Sequence, residues 1–368
     1  MPTLPERTLF GPGPSDVAPS VLEAMSRPVI GHLDPAFVGL LDEVGGMLRE
    51  AFVTRNEVTF AASGTGSAGM EMALVNLLSP GDRAVVGVAG VFGERLAEIA
   101  RRCGAEVAEV SVPWGDPIDP AQIEASLRGS PAKLVAIVHA ETSTGVRQPL
   151  EEIARIAREN GALVVVDAVT SLAGIPLFVD EWGIDVCYSG TQKCLSVPPG
   201  LSPITFSPRA MEAIRTRATP VRSWYLDVTM ITRYWGAERV YHHTAPISML
   251  YALHEGLRLV GEEGLEARWE RHRALGEYLQ SELVGLGFEL LAAEGFRLPQ
   301  LTAAALPGGA DERAARKRLL DEFGIEVGGG LGAFAGRAWR IGLMGESCRK
   351  EKLDRLLEAV RTVIGHAV

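Results

Sequence analysis

The segment that decides the fold is Leu163-Val164-Val165-Val166-Asp167. Four apolar residues in a row that end in a carboxylate are typical of a buried parallel strand whose carboxyl end faces a site. Further along, Tyr188-Ser189-Gly190-Thr191-Gln192-Lys193 follows a second short apolar run and ends in a lysine. Because the strands of one open sheet end at a common crevice, we expect Asp167 and Lys193 to lie close together.

Around these two segments, short apolar runs alternate with stretches of helical periodicity from Val21 to about Pro246. This order predicts a doubly wound α/β domain with a mostly parallel sheet and crossover helices. The predicted strands are Val58-Ala61, Ala84-Val88, Leu134-Val138, Leu163-Asp167, Asp185-Ser189 and Ser202-Phe206. The predicted helices between them are Gly69-Leu78, Glu94-Cys103 and Pro149-Asn160.

The two ends of the chain differ from this middle part. The proline-rich opening predicts an extended arm over residues 1–20, followed by the large domain over residues 21–263. A long helical stretch from Ile247 to about Leu286 then leads into shorter elements, which predict a smaller C-terminal α+β domain over residues 264–368. These elements are the strands Phe288-Leu291, Thr302-Leu306, Ile325-Gly328 and Ala338-Ile341 and the helices Asp311-Phe323 and Lys350-Ile364.

The composition is that of a globular protein, with 47% hydrophobic and 22% charged residues among 368. A net charge of -10, without a cluster of basic and aromatic residues, argues against a nucleic-acid partner. No stretch approaches the roughly 20 apolar residues of a membrane span and no apolar signal core opens the chain, so we expect no membrane association and a cytoplasmic location. Cys103, Cys187, Cys194 and Cys348 lack metal-ligand spacing and are expected to be reduced and structural.

The segment Ser63-Gly64-Thr65-Gly66-Ser67-Ala68-Gly69 joins a predicted strand to a predicted helix. Hydroxyls and backbone N–H groups at a helix start favour a phosphate, although an ordinary tight turn explains this motif about as well. The glycine spacing also fits the G-x-G-x-x-G pattern of dinucleotide-binding proteins. The next strand, however, ends in Val88-Ala89-Gly90 without the acidic residue that binds a ribose, which disfavours a nicotinamide-dependent dehydrogenase.

Lys193 and Asp167 together suggest a pyridoxal phosphate site. This cofactor needs a lysine amine that holds its aldehyde as a Schiff base and an anion that keeps its pyridine nitrogen protonated. Taken singly, Lys193 is also explained as a surface lysine on a loop, and Asp167 as a capping or metal-binding aspartate. The phosphate turn, Asp167 and Lys193 each follow a predicted strand, and this common placement favours the cofactor site.

Two further motifs have competing explanations. Tyr241-His242-His243-Thr244 suggests a metal site, but adjacent histidines on a strand face opposite ways and no third ligand accompanies them. We therefore expect packing or a polar network there and no metal. Arg340, in the predicted strand Trp339-Arg340-Ile341-Gly342-Leu343, either clamps a carboxylate with two parallel hydrogen bonds or extends to the surface.

Taken together, these motifs resemble those of the class V, fold-type I pyridoxal-phosphate aminotransferases, specifically the alanine-glyoxylate and serine-glyoxylate branch. The resemblance runs nearly from end to end of the chain. It implies a seven-stranded, mostly parallel sheet, pyridoxal phosphate as cofactor, and a homodimer with active sites at the subunit interface. Its motifs are Gly11-Pro12-Gly13-Pro14, Gly31-His32-Leu33-Asp34-Pro35-Ala36-Phe37, the phosphate turn, His139-Ala140-Glu141-Thr142-Ser143-Thr144-Gly145, Val166-Asp167-Ala168-Val169-Thr170-Ser171, Ser189-Gly190-Thr191-Gln192-Lys193, Tyr241-His242-His243-Thr244 and Arg340-Ile341-Gly342-Leu343.

Carried over residue by residue, the resemblance implies that Lys193 binds the cofactor covalently and moves a proton, while Asp167 pairs with the pyridine nitrogen. The remaining implied contacts are as follows: Thr65, Gly66, Ser67 and Gln192 to the phosphate, Tyr241 and Thr244 to the phosphate of the neighbouring subunit's cofactor, Thr142 to the ring hydroxyl, Phe92 and Val169 to the two ring faces, Arg340 to the substrate α-carboxylate, and Gly31 with His32 to the substrate side chain.

The implied reaction is a ping-pong transamination from a small L-amino acid, alanine or serine, to glyoxylate or pyruvate. Phe92 replaces a tryptophan of many relatives and Ser67 a histidine of the animal enzymes, so substrate choice stays open. Ureidoglycine, pyridoxamine and aspartate are alternative donors, although His32 stands where ureidoglycine-glyoxylate enzymes are expected to carry glutamine. A desulfurase or other lyase is a further alternative, with Cys348 as its candidate thiol. A catalytically silent subunit would not need to keep Lys193.

Overall fold

The computed structural model describes residues 4–365, so the first three residues of the predicted arm and the last three of the predicted C-terminal domain lie outside the described residues. The strands are β1 (Thr8–Phe10), β2 (Val58–Ser63), β3 (Arg83–Val88), β4 (Glu106–Ser111), β5 (Leu134–Val138), β6 (Ala140–Glu141), β7 (Val146–Arg147), β8 (Leu163–Asp167), β9 (Val186–Tyr188), β10 (Leu201–Phe206), β11 (Glu289–Leu290), β12 (Leu301–Ala305), β13 (Ile325–Gly329) and β14 (Ala338–Gly342). The α-helices are α1 (Pro19–Met25), α2 (Pro35–Phe52), α3 (Gly66–Leu77), α4 (Val91–Arg102), α5 (Pro120–Gly129), α6 (Leu150–Glu159), α7 (Pro208–Arg215), α8 (Val228–Trp235), α9 (Ile247–Glu263), α10 (Leu265–Gly285), α11 (Glu312–Phe323) and α12 (Lys350–Gly365).

The larger sheet has seven strands in the order β2-β10-β9-β8-β5-β3-β4. Neighbours from β9 to β4 pair in parallel, whereas β10 is antiparallel to both β9 and β2. Strand β2 therefore runs in the same direction as β8 and β9, and these three strands end at the same edge. The predicted α/β class with a seven-stranded, mostly parallel sheet is confirmed.

Helices cover both faces of this sheet, which is why its central strands are apolar throughout. All five residues of β8 are buried, and successive side chains alternate between two cores. Val164 and Val166 pack with residues of α2, α6 and α9, whereas Val165 packs with residues of α3, α4 and α7. Burying each valine contributes roughly 1.5–3 kcal/mol. These contacts therefore hold β8 in place and fix the position of Asp167 at its end.

The second sheet has five strands in the order β1-β13-β14-β12-β11. Its core packs against α10, α11 and α12, and Trp339 is fully buried there. The predicted arm supplies β1, which pairs in parallel with β13, so residues near the start of the chain complete a sheet formed by its last third. The division of the chain into domains at residues 20 and 263 stays a prediction.

The structure differs from the sequence prediction at an edge strand and at a long helix. Strand β4 was not predicted, because this edge strand carries Glu106 and Glu109 and shows no apolar run. The helical stretch predicted from Ile247 to about Leu286 is two helices, because Gly264 has a φ of 79° and interrupts it. A backbone in that left-handed region suits glycine, which has no Cβ.

Within residues 4–365, no helix combines the length and the apolar character that a bilayer crossing requires. The four cysteines are buried and none is in a disulfide. That they are reduced and structural stays a prediction.

Candidate active site

Lys193 lies in the loop between β9 and β10, at the edge where β2, β8 and β9 end. Its side chain is buried, and its Nζ donates a hydrogen bond to the carbonyl oxygen of Pro12 in the N-terminal arm. Burial disfavours the charged ammonium and lowers the pKa of Lys193 from 10.5 to about 8. A substantial neutral fraction near physiological pH is what a nucleophile or proton acceptor needs.

Asp167 is the last residue of β8 and is buried. Its Oδ1 accepts a hydrogen bond of 2.8 Å from the backbone N–H of Val169, and its Oδ2 accepts one of 3.0 Å from the hydroxyl of Tyr188. Burial nevertheless raises the pKa of Asp167 from 3.8 to about 6. The carboxylate is ionised at neutral pH at a cost in free energy, and a cationic N–H donor would lower that cost.

The turn from Ser63 to Thr65 connects β2 to the start of α3. Thr65 occupies the position before the helix, but its side chain makes no capping hydrogen bond. A Cβ added to Gly66 would lie 2.8 Å from Cγ2 of Val169, so only glycine allows the helix start to approach this closely. Backbone N–H groups at the positive end of α3 therefore face the space beside Val169, where they can bind an anion.

The lysine, the carboxylate and the turn border one cavity of about 130 Å³. Nine residues predicted from the sequence line it: Thr65, Gly66, Ser67, Phe92, Thr142, Asp167, Val169, Gln192 and Lys193. Met70, Arg95 and Val138 complete the lining. The sequence prediction therefore identified nine of the twelve residues that line this cavity, whereas their individual roles stay predictions.

Arg95 is the functional candidate that sequence reasoning missed. Its guanidinium lies 4.9 Å from the ring centroid of Phe92, and its Nη1 donates a hydrogen bond of 3.1 Å to Oγ of Ser67. The signal was available, because residues three apart on a helix share a face and Arg95 follows Phe92 by three. A cation beside the phosphate turn adds to the attraction for an anion.

Arg340 lies on β14, next to the cavity but outside its lining. Its Nε donates to the carbonyl oxygen of Gly329 at 2.8 Å, and its Nη1 to that of Thr142 at 3.4 Å. In the part of the chain that the structure describes, no carboxylate pairs with this buried guanidinium. Because burial of an unpaired cation is unfavourable, the site favours a carboxylate ligand.

The other four predicted site residues lie in a separate cluster. Tyr241 and Thr244 are exposed, and the ring of Tyr241 lies 5.2 Å from that of His32, which follows Gly31. The hydroxyl of Tyr234 donates to the backbone oxygen of His32 at 2.8 Å. None of these residues lines the cavity that contains Lys193 in the same subunit.

The two adjacent histidines form a polar network, as the sequence favoured, but the expected strand geometry was wrong. Residues 240–243 belong to no strand, and Nδ1 of His242 lies only 2.7 Å from Nδ1 of His243. The network continues from Nε2 of His243 to Oγ of Ser63, at 2.8 Å, and from Nε2 of His242 to the carbonyl oxygen of Trp224, at 3.3 Å. Among residues 4–365, no three His, Cys, Asp or Glu side chains gather as metal ligands.

Comparison with known proteins assigns the chain to a family. The family model described as aminotransferase class-V matches residues 42–345. A (S)-ureidoglycine–glyoxylate transaminase from Bacillus subtilis is 42% identical over 98% of this chain and 91% of its own length. An alanine–glyoxylate aminotransferase from Callithrix jacchus is 40% identical over 99% of this chain and 89% of its own. The crystal structure of an alanine–glyoxylate aminotransferase from Nostoc sp. superposes with a TM-score of 0.96, at 49% identity over 98% of this chain and 96% of that one. The chain belongs to the class V aminotransferases.

The cavity residues of this aminotransferase fit pyridoxal phosphate, on which the family depends. Oε1 of Gln192 is buried and has no hydrogen-bond partner among the described residues. The oxygen and nitrogen of a glutamine amide can be exchanged by a flip. This end of Gln192 can therefore either accept a hydrogen bond or, after a flip, donate one to a phosphate oxygen. A pyridinium N–H would stabilise the ionised carboxylate of Asp167 in the same cavity. Lys193 has the amine that a Schiff base with the cofactor requires.

The desulfurase alternative finds no support in the thiol that the sequence singled out. Cys348 is fully buried, and burial raises its pKa to about 11. A thiol in that environment is protonated at neutral pH, whereas sulfur chemistry requires an accessible thiolate.

Proposed function

We propose that this pyridoxal phosphate-dependent aminotransferase uses glyoxylate as amino acceptor and a small L-amino acid, alanine or serine, as donor. The observation that carries the proposal is the buried Lys193, with a lowered pKa, in one cavity with Asp167 and the phosphate turn. Glyoxylate is favoured because relatives with different donors share it in their names, alanine–glyoxylate and ureidoglycine–glyoxylate.

In this proposal, the protein holds the cofactor by its two ends. The phosphate binds at Thr65, Gly66 and Ser67 with Gln192, where helix N–H groups and hydroxyls donate to its oxygens. At the other end, the carboxylate of Asp167 accepts the pyridinium N–H. The proposed contacts of the ring between these ends are Thr142 to the ring hydroxyl and Phe92 with Val169 to its two faces.

The substrate is oriented by a second set of groups. The guanidinium of Arg340 binds the α-carboxylate through parallel hydrogen bonds, which places the α-carbon at a fixed distance from the sheet edge. Neutral Lys193 would accept the α-proton of the substrate at Nζ and return it to the carbon on the other side of the substrate nitrogen. When bound, pyridoxal phosphate supplies the electron sink that makes this proton acidic. Asp167 must stay ionised throughout, because it keeps the pyridine nitrogen protonated.

We propose further that the enzyme is a homodimer. Of the ten large hydrophobic side chains that are exposed within residues 4–365, three have rings beside His32, His242 or His243, and three more lie within three positions of these histidines along the chain. Apolar surface in one place is typical of an interface. The six residues, between 39% and 67% exposed, are Val29, Leu33, Trp224, Tyr225, Val240 and Tyr241. In the dimer, Tyr241 and Thr244 would reach the phosphate in the partner subunit, and Gly31 with His32 would lie near a substrate side chain.

Ultracentrifugation tests the dimer. Trp224→Asp places a charge in the proposed interface and should yield a monomer with weaker cofactor binding. Val284→Asp is the matched control, because Val284 is 54% exposed on α10, away from the histidine cluster. A Trp224→Asp protein that remains dimeric at the same concentration would contradict the proposed interface. The cytoplasmic location expected from the sequence stays a prediction.

Ureidoglycine is the second candidate donor, because the relative named for it shares 42% identity with this chain. The structural neighbours named pyridoxamine–pyruvate aminotransferase, from Mesorhizobium loti, and aspartate aminotransferase, from Thermus thermophilus, are 27% and 31% identical. These two donors are therefore weaker alternatives. The proposed acceptor, glyoxylate, is the same whether the donor is alanine, serine or ureidoglycine.

Half-reactions followed by visible absorbance test the function. The protein loaded with pyridoxal phosphate is mixed separately with L-alanine, L-serine, L-aspartate and (S)-ureidoglycine, without any oxo acid. The true donor bleaches the cofactor band, and glyoxylate should restore it faster than pyruvate or 2-oxoglutarate does. Arg340→Lys is the matched variant that keeps the charge but loses the two parallel hydrogen bonds, and it should need a higher donor concentration. A cofactor band that none of the donors alters would refute the proposal.

A further inference from the structure

We propose that the N-terminal arm positions the catalytic lysine: the carbonyl oxygen of Pro12 holds the free amine of Lys193 and directs it toward the cavity. This inference rests on the proposed function, since it gives the arm a part in the same reaction. It adds Pro12, Gly13 and Ser15 as positioning residues, none of which lines the cavity.

In the described part of the arm, three hydrogen bonds reach Gln192 and Lys193, in addition to a contact of 3.1 Å between Oγ of Ser15 and Oγ of Ser196 in the same loop. The backbone N–H of Ser15 donates to the carbonyl oxygen of Gln192 at 2.9 Å, and Oγ of Ser15 donates to that of Lys193 at 2.8 Å. The third bond runs in the opposite direction, from Nζ of Lys193 to the carbonyl oxygen of Pro12. The arm thus contacts both ends of the same lysine, its backbone and its amine.

Gly13 packs directly against the lysine side chain, so a Cβ at this position would have to displace the amine. A Cβ at this position would lie 2.7 Å from Nζ of Lys193 and 2.8 Å from both Cδ and Cε. Its φ of 117° is also unfavourable for residues with a Cβ. Gly11, two residues earlier, provides the contrast, because the nearest atom to a Cβ there lies 3.8 Å away.

The arm takes its position from the second sheet. Strand β1 pairs with β13, and a Cβ at Gly328 of β13 would lie 2.4 Å from Cδ of Pro12. Beyond the lysine contact, the backbone N–H of Asp16 donates to Oγ of Ser347 at 2.8 Å, and Nζ of Lys352 pairs with Oδ2 of Asp16 at 2.7 Å. This sheet also carries Arg340, so one rigid element orients both the proposed carboxylate clamp and the acceptor for the lysine amine.

The contact matters most when the lysine is not attached to the cofactor. An amine that donates one N–H to a fixed carbonyl keeps its lone pair pointing away from that carbonyl. A carbonyl oxygen also binds an ammonium more strongly than a neutral amine. The contact therefore favours the protonated state of Lys193 and acts against the effect of burial, which lowers its pKa. The other groups that influence the charge of Lys193 are Arg340, Asp167, Glu141 and Cys194.

The test compares full-length Gly13→Ala, Gly11→Ala and wild-type protein after removal of the cofactor. Pyridoxal phosphate is added over a range of pH, and its covalent attachment is followed by visible absorbance. In attachment, the amine nitrogen replaces the aldehyde oxygen, which leaves as water. Borohydride reduction and peptide mass spectrometry then verify that the attached residue is Lys193.

For Gly13→Ala, we expect a plateau rate at least about tenfold lower, because the amine loses its orientation. The midpoint of the pH dependence should also fall by about one unit, because the ammonium loses its acceptor. Gly11→Ala should behave like wild type. Equal rates and midpoints in Gly13→Ala and Gly11→Ala would overturn the inference, whereas a wild type that never attaches the cofactor would instead refute the proposed function.

Ser15→Ala decides the question if Gly13→Ala does not fold. This variant keeps the arm sequence around Pro12 but removes the hydrogen bond from Oγ of Ser15 to the Lys193 carbonyl. We expect slower attachment than in Gly11→Ala, with the melting temperature measured alongside to show that the fold is intact. A rate and a midpoint equal to those of Gly11→Ala would overturn the inference.

Discussion

Replacing Asp167 by asparagine should stabilise the cofactor-free protein while it abolishes transamination. Burial raises the pKa of Asp167 from 3.8 to about 6, which means that the ionised carboxylate is unfavourable in the folded state. A rise of about two units corresponds to about 3 kcal/mol of lost stability at pH 8, where the group is ionised in both states. Asparagine has no ionised form and can still accept the N–H of Val169 through its Oδ1.

The sign of the pH dependence follows from the direction of the shift. The folded state binds this proton more tightly than the unfolded state, so the carboxyl group opposes folding only as the pH rises above 3.8. The advantage of Asp167→Asn should therefore be about 3 kcal/mol at pH 8 and roughly half of that at pH 5. For a cooperative unit of about 250 residues, the difference at pH 8 raises the melting temperature by roughly 6–12 °C.

The assay is thermal unfolding of cofactor-free wild type and Asp167→Asn at pH 8 and pH 5, with the difference between the two proteins taken at each pH. Multiple-turnover transamination by the variant should fall by at least about 100-fold, because the pyridine nitrogen loses its anionic partner. If Asp167→Asn is no more stable than wild type at pH 8, or if its advantage is the same at both pH values, the electrostatic reasoning about this carboxylate is wrong.

Three further results are expected. Lys193→Ala should lose transamination by roughly 10²–10⁴-fold in a coupled assay, since no amine is left to move the proton, and full multiple-turnover activity would contradict its assignment. Gly66→Ala should bind pyridoxal phosphate about tenfold more weakly in equilibrium dialysis, because its Cβ meets Val169 at 2.8 Å, whereas Gly129→Ala, with open space around its Cβ, should bind normally. His272 is buried and neutral with its pKa lowered to about 3, so the unfolded state gains protons first as the pH falls below 6.5, and this residue should destabilise the fold by about 2 kcal/mol at pH 5. His272→Gln, which offers one N–H donor and one oxygen acceptor but does not titrate, should melt with a flatter pH dependence, and an unchanged slope would contradict this account.

The central strands and most of the cavity residues were readable from the sequence. Strands β5 and β8 begin and end at the predicted residues, because uninterrupted apolar runs of this length form buried parallel strands. Strand ends alone predicted that the phosphate turn, Asp167 and Lys193 meet, whereas other residues of the cavity, such as Phe92 and Thr142, were expected only from the family resemblance. The start of α4 was placed three residues too late, which left Phe92 outside the predicted helix and hid its relation to Arg95.

Other features depend on the tertiary structure. Lys193 and its partner Pro12 are 181 positions apart in the sequence, and Arg340 and its partner Thr142 are 198 positions apart. No periodicity links such residues, since their distance is set by how the second sheet packs against the lysine loop. The sequence by itself was sufficient to predict the class of the fold and nine residues of the cavity, Lys193 among them. Only the tertiary structure decided what holds that lysine, because a backbone carbonyl carries no side-chain identity and becomes a specific acceptor only through its position.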